Sequence, residues 1–167
     1  MGKPAFVYVT YIATTPEKLW QALIDEDFIA QYWGGTRLKS DWKTGSTIEF
    51  ITAEGKLTDT GVILEIDPPR RLSFSWHVMH EFAKGEPDSR VTWELEPVGA
   101  TVKLTLTNDR FQPGSKVLEA VSSGWPMIVS CMKTLLETGS PLAESACDQA
   151  HADQVAKVER LRTAKAK

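Results

Sequence analysis

Alternation of apolar and polar positions opens the chain. Over 5–13, Phe6, Tyr8, Thr10 and Ile12 face one way and Val7, Val9 and Tyr11 the other, which predicts a β-strand with both faces partly covered. The period turns helical at Thr15-Pro16-Glu17-Lys18, where Thr14 or Thr15 caps, Pro16 takes the first helical position and Glu17 favours the positive end. Leu19, Trp20, Leu23 and Ile24 make one apolar stripe. A second short helix is predicted over 27–33, with Phe28, Ile29, Tyr32 and Trp33 inward and Gly34-Gly35 as its stop.

From Arg37 the signal is β. Strands are predicted at 46–51, 61–66, 71–77, 90–96 and 101–107, separated by turn residues such as Lys43-Thr44-Gly45 and Asp67-Pro68-Pro69. Half-apolar alternation (Leu72, Phe74, Trp76; Val91, Trp93, Leu95; Val102, Leu104, Leu106) predicts an antiparallel meander with one face on a core. The polar stretch 79–89, with Gly85 and Pro87, reads as a loose connection at a rim. From Ser115, Val117, Leu118, Val121, Trp125, Ile128, Met132, Leu135 and Leu136 recur at helical spacing up to a stop at Gly139. Pro126 lacks an N–H, so a break at Gly124-Trp125-Pro126 into two helical pieces is expected. The pattern predicts an α+β fold: a curved antiparallel sheet around a long C-terminal helix, with two short N-terminal helices. One domain over 1–139 precedes a polar, helical tail over 140–167 with a thin apolar seam. Sheet curled around helix leaves a cavity between them, suited to a small hydrophobic molecule.

Composition narrows the classes. At 167 residues, 42% hydrophobic and 25% charged, the chain suits one globular domain. A formal charge of −3 and a pI near 5.6 argue against a nucleic-acid surface. No apolar run reaches the roughly 18 residues of a membrane span, and the N-terminus enters a strand without a signal-peptide pattern. Cys131 and Cys147 form neither a disulfide framework nor a zinc spacing; Cys131 reads as a small core residue, and a reducing cytoplasm fits best.

Candidate chemistry is sparse. His77, His80 and Glu81 lie close in sequence, but residues three apart on a strand point to opposite faces, so a partly exposed strand end is preferred to a metal site. His151 reads as a solvated tail residue. No nucleophile turn or phosphate-binding glycine loop is present, and neither a metal nor a cofactor is expected. Asn108 continues the inward register of Leu104 and Leu106, with Asp109 and Arg110 beside it; a turn before Pro113-Gly114 is preferred to a polar network at the mouth. Six tryptophans carry more signal. The residues expected to line the cavity are Trp33, Phe50, Phe74, Trp76, Trp93, Leu106, Trp125, Ile128 and Met132. Plain core filling competes, most strongly for Trp20 and Trp93.

These residues also carry a resemblance. The run Thr15-Pro16-Glu17-Lys18-Leu19-Trp20-Gln21-Ala22-Leu23 is similar to the opening of the START/Bet v 1-like superfamily (SRPBCC). Trp33-Gly34-Gly35, the strand from Ile66-Asp67-Pro68-Pro69 to Trp76, Val91-Thr92-Trp93-Glu94-Leu95-Glu96-Pro97, Leu104-Thr105-Leu106-Thr107 and the helix from Gly124-Trp125-Pro126 to Gly139 follow in order. Together they resemble the branch named after the C-terminal domain of the activator of Hsp90 ATPase, over about residues 5–139. The resemblance implies a helix-grip fold. It implies much less about activity, because the superfamily holds lipid and hormone carriers, cyclases and chaperone regulators.

Three readings stand at this point. The preferred one is a carrier or sensor of a small hydrophobic molecule, without assigned catalysis. The second is a cyclase- or hydrolase-like enzyme using His77 or Asp109 for proton transfer. The third is a co-chaperone-like interaction module, with a basic end over 157–167 and a homodimer among its options.

Overall fold

The computed structural model describes residues 2–142 and Arg160. The expected tail, with Cys147, His151 and the basic end, lies outside the described residues except at its first positions and Arg160.

Among the described residues, seven strands form one antiparallel sheet: β1 (Phe6–Ile12), β2 (Arg37–Lys39), β3 (Thr47–Ile51), β4 (Leu57–Asp67), β5 (Arg71–Val78), β6 (Ser89–Val98) and β7 (Thr101–Asp109). Their order is β1-β7-β6-β5-β4-β3-β2. The first strand and the second are therefore opposite edges, and two helices, α1 (Pro16–Ile24) and α2 (Glu26–Tyr32), carry the chain between them. The Thr15 side chain accepts from the Lys18 N–H to cap α1, and Asp25 from the Phe28 N–H to cap α2. The long α3 (Lys116–Thr138) closes the concave face, capped by Ser115 and ended at Gly139 in the left-handed conformation.

Three expectations need correction. Helix α3 is continuous through Pro126. Only one ladder bond is lost there, from the missing N–H toward the Ser122 carbonyl, while buried Gly124, Trp125 and Val129 hold both flanking turns to the sheet. Strand β1 is covered on one side only: Val7, Val9 and Tyr11 are exposed on the convex face of the sheet, as Val62 and Leu64 of β4 are, while the other face meets α3. Cys131 is fully buried as expected, but it is disulfide-bonded. Cysteine usage therefore gives the cytoplasmic expectation no support. No helix among the described residues is long and apolar enough to cross a membrane.

Strand β4 is longer than its predicted span and reaches back to the cavity residues Thr58 and Asp59. Its register slips between Ile63 and Glu65. At Gly61, opposite Trp76, a Cβ would fall 2.0 Å from the Ser75 carbonyl oxygen, so only glycine permits this close pairing of β4 and β5.

Candidate functional site

Between the sheet and the N-terminal half of α3 lies a cavity of about 100 Å³. Strand alternation and helix termini set its walls. Phe50 on β3, Asp59 on β4, and Trp76 and Val78 on β5 share the concave face, with Phe50 paired to Asp59 and Asp59 to Val78. Trp33, where α2 ends, closes one side, and Val121, Gly124, Trp125 and Ile128 of α3 form the roof. Partly exposed Thr36, Thr52, His80 and Phe82 complete the rim.

The rings pack edge to face and offset. Trp33 meets Trp125 at 5.3 Å and Phe50 at 5.9 Å between centroids. Trp76 lies 5.9 Å from Phe50 and 5.4 Å from Trp125. These separations are those of favourable aromatic pairs. Of the residues expected to line a cavity, Trp33, Phe50, Trp76, Trp125 and Ile128 do so. Phe74, Trp93, Leu106 and Met132 are buried outside the lining; Trp93 supports Trp125 edge-on at 5.6 Å and Phe74 backs Phe50 at 6.2 Å.

Two polar features complete the geometry. Asn108 does not mark the turn; it is fully buried inside β7. Its Nδ2 donates to Ser89 Oγ (3.0 Å) and the Arg90 carbonyl (2.9 Å), and its Oδ1 accepts from Trp125 Nε1 (3.0 Å). The second feature, Asp59, lay outside the sequence-predicted strand, although its even spacing from Ile63 gives it the inward register. Thr58 Oγ1 donates to Asp59 Oδ2 (3.0 Å), while Asp59 Oδ1 and Trp76 Nε1 are buried without a hydrogen-bond partner among the described residues. Burial in this apolar wall raises the Asp59 carboxyl above the ordinary carboxylate range; the Thr58 hydroxyl and the positive charge available to His80 and His77 pull the other way. The nearby Met79 amide also favours the carboxylate, but its hydrogen bond goes to the Thr58 carbonyl at 3.1 Å.

Neither proton-transfer candidate reaches the cavity. His77 is half exposed with Nδ1 2.8 Å from Asp88 Oδ1. Asp109 holds Arg90 through bonds of 2.9 and 2.5 Å, and that guanidinium keeps its carboxyl below the usual range. His80 stacks on Phe82 at 5.5 Å, on the 3₁₀ turn Glu81–Ala83 within the stretch expected to be loose. That stretch is anchored: Ser115 Oγ donates to Glu86 Oε2 (2.5 Å) and the Lys116 N–H to Glu86 Oε1 (2.6 Å), at the start of α3.

Several proteins of known structure share this architecture. CalU16 from Micromonospora echinospora shares 22% identity with a TM-score of 0.65, covering 93% of this chain and 88% of its own. The Aha1 dimer from Colwellia psychrerythraea shares 20% at a TM-score of 0.67, over 81% and 98% respectively. PFC0360w, an HSP90 activator from Plasmodium falciparum, shares 25% at a TM-score of 0.62, over 74% and 88%. No curated protein sequence matches the chain. The first two likenesses establish the helix-grip fold alone, whereas a family-level sequence match runs from the end of β1 through β2 to β7 and all but the last residue of α3. Matched over residues 13–137, the chain belongs to the family of activator of Hsp90 ATPase homolog 1-like proteins.

Proposed function

We propose that this protein is a receptor or carrier for one small, largely apolar molecule held between the sheet and α3. The observation that carries the reading is the cavity walled by Trp33, Phe50, Trp76, Trp125 and Ile128. At about 100 Å³ it is smaller than the roughly 300–1,000 Å³ of drug-sized sites and closer to the about 150 Å³ that accommodates benzene. A single-ring ligand fits that scale better than a lipid. Toluene titrated into the protein should quench or shift tryptophan emission at saturation. Trp76→Ala should weaken toluene binding with far-ultraviolet circular dichroism unchanged; an unfolded variant would make Trp76 structural instead. Mass spectrometry under native and denaturing conditions would identify any co-purifying molecule.

A second reading, self-association, rests on the outer face of β1. Val7, Val9 and Tyr11 are 58%, 46% and 51% exposed on an edge strand, the kind of strand that pairs with another chain unless protected. The Colwellia relative is described as a dimer. A homodimer formed through this strand should dissociate on Val9→Lys, read by light scattering with size-exclusion chromatography. A wild-type monomer at high concentration would end the reading.

A further inference from the structure

We propose that the cavity's ligand is a neutral aromatic alcohol, of the phenol class, whose hydroxyl group is recognised jointly by Asp59 and Trp76. This inference rests on the cavity reading above and specifies its polar end. Asp59 and Val78 are paired across β4 and β5, as are Gly61 and Trp76, so Asp59 and Trp76 are diagonal neighbours on the concave face. Such diagonal neighbours lie about 7–8 Å apart at Cα, within mutual reach of long side chains and a small bridging group. Gly61 contributes no side chain between them. Both residues line the same cavity, and each holds one buried polar atom without a partner: an acceptor, Asp59 Oδ1, and a donor, Trp76 Nε1–H.

Buried polar atoms ordinarily have partners, in protein or ordered water, so a ligand that displaces water from this end of the cavity keeps both atoms satisfied only with a group that is both donor and acceptor. A hydroxyl does this with a single oxygen: it donates to Asp59 Oδ1 and accepts from Trp76 Nε1. An ammonium head satisfies the carboxylate and leaves the indole N–H orphaned. A carboxylate head accepts from the indole but meets a like charge at Asp59. An amide offers both functions but takes more room, and the volume is small. Among the described residues, Asp59 and His80 are the titratable side chains of the lining, and no lysine or arginine lines it to hold an anion. Apart from the hydroxyls of Thr36, Thr52 and Thr58, the remaining lining is rings and aliphatic groups, which suits the aromatic body of the ligand.

The test compares toluene, p-cresol and p-toluate, which share a ring and differ at one position, by calorimetric or fluorescence titration. Wild-type protein should bind p-cresol about 10- to 100-fold more tightly than toluene, on the scale of a hydrogen bond to a charged group, and p-toluate more weakly than p-cresol. Asp59→Asn and Trp76→Phe should each cost p-cresol about tenfold more affinity than they cost toluene; equal losses for the two probes would make both residues packing groups and overturn the hydroxyl inference. Equal binding of toluene and p-cresol, or p-toluate binding as tightly as p-cresol, overturns the hydroxyl inference and leaves the cavity reading standing. Binding of none of the three probes overturns both.

Discussion

Trp125 Nε1 donates to Asn108 Oδ1 at 3.0 Å, tying the middle of α3 to the end of β7 across the core. Asn108 is itself fixed by Ser89 and the Arg90 carbonyl, so the indole touching Trp33, Trp76 and Trp93 is held by the sheet. Replacing Asn108 with leucine leaves Trp125 Nε1 and the buried Ser89 hydroxyl without this partner. Asn108→Leu should cost about 2–4 kcal/mol in urea denaturation and shift the tryptophan emission. A loss below about 0.5 kcal/mol would mean that water replaces the amide.

Two carboxylates should give opposite pH signatures. The Asp59 pKa is raised on folding, chiefly by burial, so the folded protein binds more protons than the unfolded chain between the two pKa values. Its charged form penalises folding at neutral pH, and that penalty fades as pH falls toward the unfolded value. Asp109 is lowered, chiefly by its hydrogen bonds from Arg90; it contributes stability above its unfolded pKa and loses it as pH falls through the lower folded value. Asp59→Asn should therefore raise Tm at neutral pH, and Asp109→Asn should lower it. Both differences from wild type should shrink in acid, as differential scanning fluorimetry against pH would show.

Glu86 latches the rim. By accepting from Ser115 Oγ and the Lys116 amide it holds the segment carrying Phe82 against the start of α3. Glu86→Ala should cost about 1–2 kcal/mol and raise amide hydrogen exchange in 79–88 well above that of the sheet. Unchanged exchange there would show the segment to be held by Phe82 and Ala83 packing alone.

Gly61 tests the close pairing of β4 and β5. A methyl group 2.0 Å from the Ser75 carbonyl oxygen requires backbone movement. Gly61→Ala should destabilise by about 3 kcal/mol, more than alanine at Gly45 or Gly99, which have open space around them. Chemical denaturation of the three variants decides this.

Periodicity determined the helices and six of the seven strands, in order, and missed the three-residue β2, which is too short to show an alternation. The strand alternations, Pro16 at the start of α1 and Gly139 after α3 specify local conformations through side-chain direction and backbone dihedrals, which neighbouring residues settle among themselves. The α+β helix-grip arrangement followed, because one long amphipathic helix has the sheet's concave face to cover. Tertiary structure decided what periodicity leaves open. Pro126 reads locally as a break, yet the packing of Gly124, Trp125 and Val129 keeps α3 whole. Alternation marks Phe74, Trp76 and Trp93 alike as inward, but depth separates them: Trp76 reaches the cavity, while the other two back its walls. Asn108 and Asp59 are polar residues in inward register, and a sequence alone cannot pair them with Trp125 or leave them orphaned beside Trp76. Those relationships depend on strands and a helix far apart in the chain, brought within hydrogen-bonding distance only when the sheet curls around α3.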